Sequence, residues 1–229
     1  MISCVSISNC DSFSQNILRG QFELRYKEVI LKERWENIYV SNGMEFDQYD
    51  NPATEYFVAH DDIRGVYGVT RSYPTTLPYM LENSFSHLFS KSIPRSAKVF
   101  EASRLVLDRT KLTKEERAPI IRELVLAYME RGLQMGIEAY VGFMLPKIWK
   151  STFIEAGWDV EWLGEEKALE GTTDTVRAGL LAVSPYMHHK IKNKTGIYNS
   201  ILDFGMQGVP NKPNYAFQSE SLITNKKVA

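Results

Sequence analysis

Cysteine is scarce in this chain of 229 residues: there are two, Cys4 and Cys10, with no Cys-x-x-Cys pair and no histidine at a ligand spacing beside them. This excludes a disulfide scaffold and leaves both as reduced packing residues. Histidine is sparse too, and the adjacent His188 and His189 have nothing near them in sequence to complete a site, so no metal is implied. Charge of one sign is absent: 27 Lys and Arg stand against 28 Asp and Glu, a net −1. No global basic field exists to hold nucleic acid or an anionic membrane. No apolar run approaches the roughly 18 residues of a membrane span, and the N-terminus lacks the pattern of a secretory signal, so the cytoplasm is the expected location. What is present is 44% hydrophobic and 12% aromatic residues, enough for a real core. The length suits one domain over 1–229, with the tail from about 199 read as loosely ordered.

Hydrophobic spacing predicts an amphipathic helical region over 13–36, interrupted near Gly20, then a long irregular segment from Tyr39 to Thr54. An antiparallel hairpin follows from Glu55–His60 and Gly65–Arg71, then a short helix over Leu81–Phe89. Lys98–Leu107 alternates as a strand, with Glu101 and Ser103 on one face and Arg104 on the other. Thr113 with Glu116 is a capping-box signature for a helix ending at Gly136. Ala139–Leu145 reads as a buried strand, Pro146–Ala156 as a helix opened by proline, and Asp159–Leu163 and Ala178–Ser184 as further strands. Antiparallel strands followed by strand, helix and strand imply an α+β domain, a mixed and mostly antiparallel sheet with helices packed on it and one parallel crossover.

Charges then fall where sheet and loop would not need them. Glu45, Asp47 and Asp50 crowd one irregular segment, which alone would pass for a polar loop. Arg71 ends a strand, and Glu101 and Arg104 sit within another. Each alone would be read as an outward-facing side chain; together they resist that reading.

Taken in order, Arg25 through Trp35, Asp47-Gln48-Tyr49-Asp50, Arg71 with Pro74-Thr75-Thr76-Leu77-Pro78-Tyr79-Met80-Leu81, Phe85, and Glu101-Ala102-Ser103-Arg104 make this chain resemble the LuxI-type acyl-homoserine lactone synthases over roughly residues 20 to 185. The resemblance implies a fold similar to the GNAT N-acetyltransferases, a twisted sheet with helices on both faces and a V-shaped opening between strands for a thioester arm. It departs from the family at Val29, where an aromatic residue is general, and in the Glu33-Arg34 pair, which lies closer to Trp35 than usual. The segment Asp108-Arg109-Thr110-Lys111-Leu112 contains no glycine, unlike the pyrophosphate loop of acetyl-CoA enzymes, which favours a carrier-protein thioester.

The implied reaction acylates the α-amine of S-adenosylmethionine and then closes a lactone as methylthioadenosine leaves. It needs a base and a cation clamp and no cofactor, S-adenosylmethionine being a substrate. Glu101 is the expected base, with a structural partnership to Arg104 or Arg71 as the competing role. Asp47 and Asp50 either face the cationic substrate or hold Arg25, Arg71 or Arg104, whose forks suit a carboxylate. Trp35 and Phe85 are expected to shape the S-adenosylmethionine or the acyl pocket, Arg25 and Ser103 to belong to the same substrate-binding set, and Phe143, Met144 and Trp149 to lie along the acyl chain. Core packing is the competing role for the aromatic residues among them. Members of the family that prefer 3-oxo chains often carry a small hydroxyl residue on this strand; Gly142-Phe143-Met144 offers none, so the resemblance implies an unsubstituted, branched or aryl acyl group. Lys147 and Lys150, three apart on one helix, are the expected docking cations for an acidic acyl carrier protein; a coenzyme A thioester is the other donor. Two other functions compete: a GNAT-like N-acyltransferase using acyl-CoA and a different amine, and a non-catalytic acyl-ligand binder.

Overall fold

The computed structural model describes residues 1–32, 39–90, 92–169 and 172–205. Trp35, Glu33 and Arg34 lie outside these residues. In chain order the elements are β1 (Ile2–Val5), α1 (Gln15–Arg25), β2 (Tyr39–Ser41), β3 (Met44–Phe46), β4 (Glu55–Asp61), β5 (Gly65–Pro74), α2 (Met80–Phe85) and β6 (Val99–Leu107). Then come α3 (Lys114–Met135), β7 (Ala139–Met144), α4 (Pro146–Trp149), β8 (Glu161–Trp162), β9 (Lys167–Ala168), β10 (Thr175–Ala182), α5 (Pro185–Thr195) and β11 (Leu202–Asp203).

The main sheet runs β11-β1-β4-β5-β6-β7-β10-β8, with β9 also paired to β10. Its pairs are antiparallel except β1 with β11 and β6 with β7. The expected α+β architecture is therefore present, including the parallel crossover from β6 through α3 to β7. Alternation along β4 sorts the two faces. Phe57 and Ala59 join a core with Leu124, Tyr128 and Ile191 of α3 and α5, while Tyr56 and Val58 pack with Leu24 and Phe22 of α1. Helices thus cover both faces, and α2 shares the α1 side through a third cluster containing Tyr73, Leu81 and Val141.

Several local expectations need correction. Gly20 does not interrupt α1, because the glycine lets the helix approach β5: a Cβ there would lie 2.9 Å from Val66 Cγ2. The irregularity comes after Arg25, where the helix widens into a π-helical stretch over Tyr26–Lys32 that buries Val29. The segment from Tyr39 is not irregular throughout. Asn42 and Gly43, at φ 50° and 73°, turn β2 into β3 in the two-residue hairpin for which Asn-Gly is suited. α5, β1 and the edge strand β11 carry too little periodicity to be foreseen. The α3 expectation holds in full: Thr113 and Glu116 cap each other's backbone and Gly136 closes the helix at φ 70°. Among the described residues no helix is long and apolar enough to cross a membrane.

Candidate active site

Two sheet irregularities make the site. β6 and β7 pair only from Val99↔Ala139 to Glu101↔Val141, and beyond that point they part, opening a wedge on the carboxyl side of Glu101. Across the other edge, β5 and β6 pair Arg71↔Ser103 and Tyr73↔Glu101, but Val69 pairs with Val106, so β6 carries one extra residue opposite Thr70. That residue lies in a bulge whose Arg104 sits at φ 56°, left-handed backbone rarely adopted outside glycine. The bulge overturns the predicted alternation: Arg104 shares an ion-pair cluster with Arg71, on the side where Arg71, Ser103 and Glu101 face.

Three arginines and three carboxylates fill this corner. Arg25, from the end of α1, grips Asp50 with both terminal nitrogens at 2.7 Å and donates Nε to Glu45. Arg71 forks onto Asp47 at 2.6 Å twice, reaches Asp50 at 2.9 Å and is steadied by Ser103 Oγ at 2.9 Å. Arg104 spans Glu45 at 3.0 Å and Asp47 at 2.8 Å, and its Nη1 lies 3.8 Å from Met80 Sδ. Asp47 and Asp50 therefore hold arginines, settling the pairing that sequence left open. Glu45, which sequence reasoning did not single out as a site residue, is the buried anchor of two of them; its signal was its place in the same acidic segment as Asp47 and Asp50.

The cluster is dry. Arg25, Arg71 and Glu45 are fully buried, and Arg104 is the least enclosed arginine at 9% exposure. Burial alone would lower the Arg71 pKa, but the hydrogen-bonded Asp47 and the charge of Asp50 more than reverse this. Burial likewise works to raise Asp50, yet the hydrogen bond from Arg25 and the two guanidinium charges hold it far below the usual carboxylate range. Three guanidinium groups thus meet three carboxyl groups in one enclosed corner.

Glu101 stands beside this cluster and is not part of it. Neither Arg71 nor Arg104 hydrogen-bonds to it. Its Oε1 accepts the Leu81 N–H at 2.7 Å, and its Oε2 accepts the Met80 N–H at 3.0 Å and the Tyr73 hydroxyl. Its structural role is thus to hold the first turn of α2. Burial pushes the Glu101 carboxyl above its ordinary range, against the pull of Tyr73, Leu81, Met80 and Arg71.

The wedge between β6 and β7 is apolar. Phe85 packs on Phe143 with ring centroids 4.0 Å apart, amid Leu81, Val141, Leu145, Val176 and Ala178. The other two expected acyl residues lie across the sheet. Met144 and Trp149 pack in the α3-side core, Trp149 at 5.4 Å from Phe153 with its indole N–H on Arg177 O at 2.9 Å. Adjacent residues on β7 point to opposite faces, so Phe143 and Met144 do not share one wall. Lys147 and Lys150 are both exposed, and Lys147 is 3.7 Å from Asp174.

Comparison with known proteins gives the family. The family model described as autoinducer synthase matches residues 9–191. The chain is 32% identical to the isovaleryl-homoserine lactone synthase of Bradyrhizobium diazoefficiens, over 72% of each chain. It is 30% identical to an acyl-homoserine-lactone synthase of Pseudomonas aeruginosa, over 70% of this chain and 80% of that one. Among solved structures it superposes on the CoA-dependent acyl-homoserine lactone synthase BjaI with S-adenosylmethionine and isopentyl-CoA, with a TM-score of 0.77, 26% identity and coverage of 89% of this chain and 93% of that one. The chain belongs to the autoinducer synthase family and, as an acyl-homoserine lactone synthase, is an acyltransferase.

Proposed function

We propose that the chain joins an acyl group from a coenzyme A thioester to S-adenosylmethionine in the cytoplasm, using Glu101 as base and the arginine–carboxylate cluster as the amino-acid clamp. The observation that supports this best is the juxtaposition of the buried, ion-paired Arg25–Arg71–Arg104 and Glu45–Asp47–Asp50 cluster with Glu101, at the point where β6 and β7 part. A substrate carrying ammonium, sulfonium and carboxylate needs both signs of charge at short range, and preorganised ion pairs offer both without reorganisation. Asp47 and Asp50 hold the arginines and act on the cationic groups only as nearby negative charge, while Arg104 with Arg71 behind it meets the methionyl carboxylate.

Glu101 takes a proton from the α-amine, directly or through one water, and the amine then attacks the thioester carbonyl. The C–S bond breaks, the nitrogen sheds its second proton to the departing thiolate, and the acyl carbon is left bound to nitrogen as an amide. The substrate carboxylate next displaces methylthioadenosine at the γ-carbon, closing the lactone, a step helped by holding both ends together. A raised Glu101 pKa suits a base working near neutrality. Phe85 and Phe143 line the acyl side. With no hydroxyl on Gly142-Phe143-Met144, the acyl group is unsubstituted, branched or aryl.

The donor assignment draws on the likeness to CoA-dependent synthases. An acyl carrier protein docking at Lys147 and Lys150 is the second reading, supported by the exposure of both lysines. Mass spectrometry of lactones made by purified protein from S-adenosylmethionine and a panel of acyl-CoA and acyl-carrier-protein donors tests reaction, donor and acyl group together. Absence of any lactone from every donor would refute the proposal.

A further inference from the structure

We propose that Tyr73 is a positioning residue for acyl transfer, its hydroxyl holding the Glu101 carboxylate in place as the base. The inference rests on the reading of Glu101 given above. Tyr73 is the cross-strand partner of Glu101 on β5 and lies two residues beyond Arg71, so phenol and carboxylate meet on the site face of the sheet. The ring is fully buried. It stacks on Tyr49 at 5.8 Å with planes 4° apart, and the Arg71 guanidinium lies 5.5 Å from its centroid. Packing therefore fixes everything but rotation of the hydroxyl.

That rotation is what distinguishes Tyr73 from the other donors on Glu101. The Met80 and Leu81 N–H groups are held by the backbone of α2 and point at the carboxylate whatever its charge. A phenol can donate to the carboxylate and turn to accept from the carboxylic acid. When Glu101 Oε2 receives the amine proton, the Tyr73 hydroxyl keeps its own proton and reverses its role, so the buried acid is never left facing three donors. Before that moment its donation favours the charged form over the cost of burial. The other charged or titratable groups around Glu101 are Arg71 on β5, Tyr79 ahead of α2 and Tyr128 on α3. The two phenols are turned to Pro94 O at 2.7 Å and Arg71 O at 2.8 Å, away from the carboxylate.

The test is the pH profile of kcat/KM for the full chain with S-adenosylmethionine and an acyl-CoA that it turns over. Tyr73→Phe removes one donor to a carboxylate and should move the acid limb upward by about one pH unit, with the rate recovering at alkaline pH. Replacing Tyr73 by 3-fluorotyrosine, a stronger donor of nearly the same shape, should move it downward and serves if the Phe variant is unstable. Tyr49→Phe deletes a neighbouring hydroxyl that does not touch Glu101 and should leave the limb in place. A rate lowered equally at every pH, or no movement with either Tyr73 replacement, overturns the proposal. Glu101→Gln separates the two levels: an unchanged acid limb there sinks Glu101 as base and Tyr73 with it. Loss of the limb or of all turnover, beside unmoved Tyr73 variants, would sink Tyr73 alone.

Discussion

Arg104 reaches Asp47 at 2.8 Å from a left-handed backbone position in the β6 bulge, φ 56°. A non-glycine residue there costs on the order of 1–3 kcal/mol, and the ion pairs to Asp47 and Glu45 hold it in place. The strained residue is the one that carries β6 into the arginine cluster.

Arg104→Lys and Arg71→Lys keep the charge and lose the fork, so each should lower kcat/KM by about tenfold or more. They should differ in stability. Arg71 is fully enclosed and bound by Asp47, Asp50 and Ser103, so its replacement should cost on the order of 3 kcal/mol by thermal or urea unfolding. Arg104 is less enclosed, so its cost should be smaller. Equal unfolding midpoints for the two variants would contradict this division.

Glu101→Gln should reduce turnover by roughly 10²- to 10⁴-fold. The fold will register it as well. Glutamine must set an NH₂ against the backbone N–H of either Met80 or Leu81, leaving a buried donor unmatched. A lower melting temperature with native circular dichroism is expected, and an unchanged one would mean that α2 is anchored elsewhere.

Asp50 gives acid sensitivity with a definite sign. Its folded pKa is depressed, so it contributes stability that is fully present above the unfolded carboxylate pKa of about 4 and lost as pH falls below that value. Asp50→Asn should be less stable than the parent at pH 7, and its stability should depend less steeply on pH below about 4. Parallel stability curves for the two proteins across that range would rule out the linkage.

Lys147→Glu with Lys150→Glu discriminates the donors. If coenzyme A carries the acyl group, the double variant should keep its kcat/KM for acyl-CoA within about threefold, since both lysines lie on an exposed helical face. A salt-sensitive rise in KM with acyl carrier protein, alongside poor use of acyl-CoA by the parent, would favour carrier docking instead.

Some of this was legible in sequence because it depends on neighbours along the chain. The Thr113–Glu116 box and Gly136 fixed the ends of α3 from adjacent residues. The period-2 and period-3.6 stretches gave the hairpin and the β6-α3-β7 crossover. Residue types in order along the chain gave Arg25, Asp47, Asp50, Arg71, Glu101 and Arg104. Asn42-Gly43 carried a hairpin signal that its polar surroundings masked. The tertiary structure alone decided the rest. Alternation predicts where a side chain points only while strand pairing stays in register, and the extra residue opposite Thr70 is a property of β5 and β6 together. Which arginine takes which carboxylate likewise depends on distances between α1, β3, β5 and β6, set by packing rather than by any local pattern. Sequence marked Glu101 as the expected base and offered Arg71 or Arg104 as its partner, but its hydrogen-bond partners are Tyr73 and the start of α2, because the sheet brings Tyr73 opposite it and the chain folds α2 back over both.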